Sequence, residues 1–215
     1  MILYGSSLSP FVRKVLVFAA EKGIALELKP TGLNAQDPEF LEASPFRKIP
    51  AFRDGDFTLA DSSAIITYLD ALNPDTNLIP TEAKAHAKAI WFEEFADTLL
   101  MSCGGKMFFN RIVSPLFLKR PGNAAMADEA EATEFPPLLD YLEGVIPESG
   151  FLVEDRLTLA DIAVAAPFVN FAHLALDWRS ARPKLAAYID AILARPSFTQ
   201  WAERETAFLE KARAA

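Results

Sequence analysis

The stretch ILYGSSLSPFVRKVLVFAAEKG, residues 2–23, decides the fold. Ile2-Leu3-Tyr4 reads as a short strand that ends at Gly5. Val12, Val15, Leu16 and Ala19 then recur at i, i+3, i+4 and i+7, the stripe of an amphipathic helix. That helix should stop at Lys22-Gly23, because glycine enters the left-handed C-terminal conformation without a steric penalty. Working outward, residues 25–29 alternate apolar and polar, which predicts a second strand. Ile49–Phe52 and Phe57–Leu59 flank Asp54-Gly55, a hairpin turn signal, and predict an antiparallel pair. Ile65, Tyr68, Leu69 and Leu72 give a further helical stripe. With a short helix between the second and third strands, the order is β-α-β-α-β-β-α. Asn73-Pro74 breaks the last helix and Pro80 ends a polar connector, so residues 73–80 read as a linker.

Past the linker no strand is expected. The segment from Glu82 to about Ser102 is rich in helix formers, and Gly104-Gly105 should kink or end it. Pro136-Pro137 should distort a helix over residues 124–146. Thr158 followed three residues later by Asp161 makes a capping box, and Leu157 with Ile162 fits a hydrophobic staple around it. From Ile162 to Leu176 the chain is apolar on nearly every face, which implies a central buried helix. Pro183 suits the first turn of another helix, and Ser197 is placed to cap a last one. The expectation is an α+β protein: an α/β domain over residues 1–75, then an all-helical domain over residues 82–215.

Charge and composition exclude several functions. The 215 residues carry 21 Lys and Arg against 29 Asp and Glu, a net charge of −8. With no basic run, nucleic acid is not an expected partner. One Cys allows no intrachain disulfide, no Cys-x-x-Cys pair and no thiolate zinc cluster, and no metal is expected. No apolar run reaches the roughly 18 residues of a membrane span. The opening residues lack the basic-then-apolar pattern of a secretory signal, so the expected location is cytoplasmic.

Three segments carry the chemistry. Ser9 precedes Pro10, a good first helical residue, so it either caps the helix or points its hydroxyl at a bound sulfur. In redox proteins of this strand order the same loop holds Cys-x-x-Cys. Here the matching positions are Ser9 and Val12, which excludes dithiol exchange. Lys48-Ile49-Pro50 opens a strand. A cis bond there would let the Ile49 backbone receive an extended peptide as an added strand. Asp61-Ser62 starts a helix, where free N–H groups and a hydroxyl suit a carboxylate and the neighbouring Asp suits an ammonium. Lys48 suits a carboxylate at the far end.

In this order and spacing the chain resembles a cytosolic glutathione transferase, over nearly its whole length. The likeness lies in Ser9-Pro10-Phe11, in Lys48-Ile49-Pro50-Ala51-Phe52, and in Leu59-Ala60-Asp61-Ser62-Ser63-Ala64-Ile65 followed by Tyr68-Leu69. It extends to Thr158-Leu159-Ala160-Asp161 and to Arg182-Pro183 with Ala194-Arg195-Pro196-Ser197-Phe198. The resemblance implies a thioredoxin-like domain, then a helical domain, in a homodimer that takes glutathione as co-substrate. It implies that Ser9 is the catalytic serine of the tau, phi, theta and zeta type. It implies that Lys48, Ile49 and Pro50 hold the glycine end and backbone of glutathione, and that Asp61 and Ser62 hold the γ-glutamyl end. The family more often has Glu or Gln where Asp61 stands. Tyr4, at the end of strand one, is the second candidate for the catalytic hydroxyl.

A small hydrophobic electrophile is the implied second substrate, expected between the two domains against Leu8, Phe11, Met107, Phe108 and Arg111, with Met101, Phe109 and Phe117 nearby. Most of these also read as helical-domain core. Arg111 and Lys106 would attract an anionic substrate. Two alternatives stay open: a glutathione-dependent isomerase or dehalogenase of zeta-like type, and a non-catalytic binding protein on the same fold.

Overall fold

The computed structural model of the chain describes residues 1–32 and 34–214. They form two compact units, Met1–Ile79 and the residues from Pro80 onward. The first unit contains β1 (Ile2–Gly5), α1 (Pro10–Glu21), β2 (Glu27–Pro30), α2 (Pro38–Ala43), β3 (Ala51–Asp54), β4 (Phe57–Ala60) and α3 (Ser62–Leu72). Its four strands lie in the order β2-β1-β3-β4. The β1–β2 pair is parallel and the pairs β1–β3 and β3–β4 are antiparallel. This is the thioredoxin-like βαβαββα arrangement.

Local chemistry sets the element ends. Gly23 takes φ +70°, and the N–H of Ile24 returns to the carbonyl of Ala19 at 2.8 Å, closing α1 with a left-handed cap. Gly55 takes φ +60° in the two-residue turn between β3 and β4. Two strands start later than the pattern predicts. β2 begins at Glu27 rather than Ala25. β3 begins at Ala51 rather than Ile49, because Pro50 has no N–H to give the ladder. Ile49 and Pro50 therefore stand just outside the sheet, joined by a cis peptide bond.

Strand alternation splits the core of this unit. Leu3 and Tyr4 are both fully buried and point to opposite sheet faces. Tyr4 packs with Phe40 and Ala43 of α2 and with Ala51. The stripes of α1 and α3 bury Val12, Val15, Leu16, Ile65, Ile66 and Leu69, each contributing about 1.5–3 kcal/mol.

In the second unit no strand occurs among the described residues. A helical run comprises α4 (Ala83–Glu94), a π turn (Phe95–Leu100), α5 (Met101–Phe108), a second π turn (Phe109–Val113) and α6 (Ser114–Phe117). After it come α7 (Ala124–Glu129), a π turn (Ala130–Glu134), α8 (Phe135–Val145), α9 (Leu159–His173), α10 (Pro183–Leu193) and α11 (Pro196–Ala214). The distortion expected from Pro136-Pro137 falls immediately upstream. Neither proline can donate back into the preceding turn, and the π turn at Ala130–Glu134 takes up the mismatch. Pro183 opens α10 as predicted. Ser197 does not cap α11; Pro196 takes the first position, which leaves Ser197 buried inside the first turn. No helix of the described residues is long and apolar enough to cross a membrane.

Gly104-Gly105 corrects the sequence reading. Both glycines lie within α5 and do not end it. A Cβ at Gly104 would stand 2.7 Å from Cε1 of Phe171. Phe171 is fully buried on α9 and held edge-on by Phe135 and Phe168, so its ring has nowhere to retreat. Gly104 is there so that α5 and α9 can approach closely. Gly104→Ala should lower stability by about 1–2 kcal/mol, since overpacking at about 1–3 kcal/mol outweighs the gain in helix propensity. A denaturation midpoint equal to or above that of the wild type would contradict this.

Candidate functional site

A groove of about 600 Å³ opens in the first unit. Its walls are Phe11 from α1, the segment from Glu42 to Phe46, Lys48-Ile49-Pro50, and the segment from Thr58 to Ser62. Five of the residues singled out from sequence, Lys48, Ile49, Pro50, Asp61 and Ser62, therefore meet in one cavity with Phe11.

The start of α3 is capped by a side-chain carboxylate. The Asp61 carboxylate accepts the N–H groups of Ser63 at 2.9 Å and Ala64 at 3.3 Å, so it caps the helix as the pattern allows. Ser62, buried and first in the helix, lines the groove beside that cap. Asp61 itself sits at φ +80° and ψ 133°, a conformation that costs a non-glycine residue about 1–3 kcal/mol. Such strain survives only where neighbouring structure imposes it, and here it sits at the groove wall.

Lys48 is exposed, and its backbone is tied down: the N–H donates to the Ser44 hydroxyl at 2.9 Å, and the carbonyl accepts from the same hydroxyl at 2.7 Å. Ile49 is half-buried against the Tyr4–Phe40 cluster. Ser9 is the N-cap residue of α1, yet its side chain makes no capping hydrogen bond. Ser9 is half-buried, two residues before Phe11, and is not itself among the groove-lining residues.

Tyr4, the second candidate for the catalytic hydroxyl, is committed elsewhere. Its ring is fully buried against Phe40 of α2, and its hydroxyl donates to Glu39 at 3.3 Å. Glu39 also accepts from Lys29 at 2.9 Å, which holds the Glu39 carboxyl below its ordinary range. Strand alternation is the reason: one position along β1, the side chain faces α2.

The residues assigned from sequence to an electrophile pocket belong to both units. Phe11 lines the groove, and Leu8 is half-buried in the loop before α1. Met107 and Phe108 are buried on α5. Phe117 stacks on Phe208 of α11, with ring centroids 5.7 Å apart. Arg111 and Lys106 are not spare cations. Arg111 pairs with Asp128 at 2.7 Å and with Glu131, and Lys106 pairs with Glu134 at 2.6 Å. Their partners come from α7 and the π turn after it, which turn acidic side chains toward α5 and the π turn that follows it. Cys103 is buried, and desolvation pushes its thiol up to about 11, so it is no nucleophile at neutral pH. Among the described residues, no three His, Cys, Asp or Glu side chains are arranged to hold a metal ion.

Sequence reasoning missed Glu42, Ser44, Phe46 and Thr58 as groove residues. One signal was present: Ser44-Pro45-Phe46 repeats Ser9-Pro10-Phe11, and both stand at a helix end.

Two family models match the chain. The model for the glutathione S-transferase N-terminal domain matches residues 3–77, and that for the C-terminal domain matches residues 108–205. Glutathione S-transferase 3 of Zea mays is 32% identical over 203 residues, covering 91% of this chain and 90% of that protein. The chain belongs to the glutathione S-transferase family. Within that family, a solved glutathione S-transferase of Methylobacterium radiotolerans in complex with glutathione sulfonate aligns at TM-score 0.78 and 26% identity. It covers 94% of this chain and 93% of its own. A glutathione S-transferase of Methylobacillus flagellatus with glutathione bound aligns at TM-score 0.79 and 27% identity, over 93% of this chain and 98% of its own.

Proposed function

We propose that this family member is a glutathione transferase that stabilises the thiolate of glutathione for attack on small hydrophobic electrophiles. The observation that carries the reading is the groove: the Lys48–Pro50 loop and the start of α3 meet there although they lie apart in sequence. In this reading the γ-glutamyl carboxylate takes the N–H and hydroxyl of Ser62, and its ammonium takes the outer oxygen of Asp61. The Ile49 backbone pairs with the cysteinyl unit, and Lys48 meets the glycine carboxylate. A relative solved with glutathione bound, another solved with glutathione sulfonate, and a family named for glutathione transfer support glutathione as the ligand.

Ser9 supplies the chemistry. A free thiol has a pKa of about 8.5, so only a few per cent is ionised at neutral pH. Making thiolate the major form needs a shift of about 2 units, or about 2.7 kcal/mol. A hydrogen bond to a charged acceptor supplies about 1.5–3 kcal/mol, and the start of α1 adds about 0.3–1 kcal/mol. One hydroxyl is therefore sufficient, acting as a donor and not as a base. The thiolate sulfur then bonds to the electrophilic carbon while the leaving group departs with the displaced electron pair, or an epoxide ring opens.

Retention on immobilised glutathione tests binding, and loss of retention in Ser62→Ala, by about tenfold in affinity, tests the α3 assignment. A wild-type chain that is not retained would contradict the reading. A panel of aryl halides, epoxides and maleyl compounds separates transfer from isomerase or dehalogenase chemistry. The same reading includes a cytoplasmic homodimer. Phe46, 87% exposed at the tip of the Ser44–Lys48 loop, is the side chain a second copy would cover. Sedimentation of the wild type as a monomer at micromolar concentration would contradict the dimer.

A further inference from the structure

The Ser44–Lys48 loop is held in an unusual way. Ser44 is the C-cap of α2 and is 1% exposed. Pro45, Phe46, Arg47 and Lys48 are all exposed, so the loop between them is not anchored by a buried side chain. What closes it is one hydroxyl: Ser44 Oγ donates to the Lys48 carbonyl and accepts from the Lys48 N–H. The Arg47 N–H adds a bond to the Ser44 carbonyl at 2.9 Å, with Arg47 at φ +56°. Ile49, the next residue, is anchored independently by packing against the Tyr4–Phe40 cluster. The two neighbouring ligand contacts thus have separate supports: Ile49 rests on the core, Lys48 on the Ser44 hydroxyl.

We propose that Ser44 is a positioning residue that holds Lys48 against the glycine carboxylate of glutathione and thereby sets the preference for the tripeptide over γ-glutamylcysteine. The inference rests on the glutathione reading given above. Ser44 touches no reacting atom. Its removal leaves both backbone groups of Lys48 without their internal partner, and the exposed loop then samples positions from which the ammonium no longer reaches the carboxylate. Because Ile49 keeps its packing, the cysteinyl and γ-glutamyl contacts survive. The predicted defect is therefore confined to the ligand's glycine end, which general destabilisation would not produce.

The test compares glutathione with γ-glutamylcysteine, by KM and by direct titration, in the wild type, Ser44→Ala, Ser44→Thr, Lys48→Ala and the Lys48→Ala/Ser44→Ala double variant. The wild type should favour glutathione by about fivefold, the upper end for an exposed ion pair. Ser44→Ala should reduce that preference below about twofold, raising the glutathione KM more than it lowers kcat. Ser44→Thr, which keeps the hydroxyl, should restore the preference. Lys48→Ala should abolish it, and adding Ser44→Ala should cost little more, since the two act through one contact. Val17→Ala, a core change on α1, controls for loss of stability and should leave the preference intact. A Ser44→Ala or Lys48→Ala protein that keeps the fivefold preference, or a wild type without one, would overturn the inference while leaving glutathione binding in place. A wild type that takes up neither thiol would overturn the functional reading and this inference with it.

Discussion

Ser9→Ala should lower turnover by roughly 10–150-fold near neutral pH, while the KM for glutathione moves by less than about threefold. The range follows from removing one hydrogen bond to a charged acceptor. The loss should depend on pH in a definite direction. Without the donor the bound thiol titrates nearer its free value of about 8.5, so the variant's deficit is greatest below pH 7 and shrinks above that value. The hydroxyl is available for this work because it makes no capping bond in α1. Tyr4 offers no substitute, since its hydroxyl is engaged with Glu39. Tyr4→Phe should therefore leave the pH profile of the rate unchanged. A Ser9→Ala enzyme with wild-type turnover at neutral pH would move the thiolate's partner to a backbone N–H.

The second large effect concerns stability. Asp161→Ala should cost about 3–5 kcal/mol. Asp161 is fully buried in the first turn of α9, where every residue from Leu159 to Phe171 is buried. Its carboxylate accepts the N–H of Leu152 at 2.8 Å, the N–H of Thr158 at 2.8 Å, the Thr158 hydroxyl at 3.1 Å and the Tyr188 hydroxyl at 3.1 Å. The capping box read from sequence is thus only part of its role, because it also ties the Leu152 loop and α10 to the central helix. Alanine would strand those donors in a buried site, at about 1–3 kcal/mol for each donor left without a partner. Tyr188→Phe removes a single donor and should cost about 1 kcal/mol. Burial raises the Asp161 pKa, with the four donors opposing. A raised folded value means that the group contributes most below the ordinary carboxylate range and less as pH rises through the folded value. The deficit of Asp161→Ala should accordingly widen as pH is lowered. Urea denaturation of the two variants measures this; a loss under about 1 kcal/mol for Asp161→Ala would mean that the network is dispensable.

Much of this was legible in the residues, for identifiable reasons. The α1 stripe, the Gly23 stop, the Asp54-Gly55 turn and the Thr158–Asp161 box are local signals, and each is set by interactions a few residues apart. Lys48, Ile49, Pro50, Asp61 and Ser62 could be singled out because strand ends and helix starts concentrate polar groups. Their meeting in one groove depends on sheet topology, which the β-α-β-α-β-β-α order largely dictates. What stayed hidden depends on distant partners. Gly104 reads as a helix breaker until Phe171 is seen against it. Arg111 and Lys106 read as anion-seeking until Asp128, Glu131 and Glu134 are brought beside them. Ser44 shows in the sequence only as part of a repeated Ser-Pro-Phe triplet, because its partners are backbone groups, which every residue carries alike.

Ultraviolet titration of the glutathione thiolate in the binary complex measures whether the Ser9 hydroxyl stabilises it. A bound-thiol pKa near 6.5 is expected in the wild type, about 2 units below the free value, with a return toward about 8.5 in Ser9→Ala. Bound glutathione that titrates at its free value in the wild type, or an unchanged depressed value in the variant, would contradict that role.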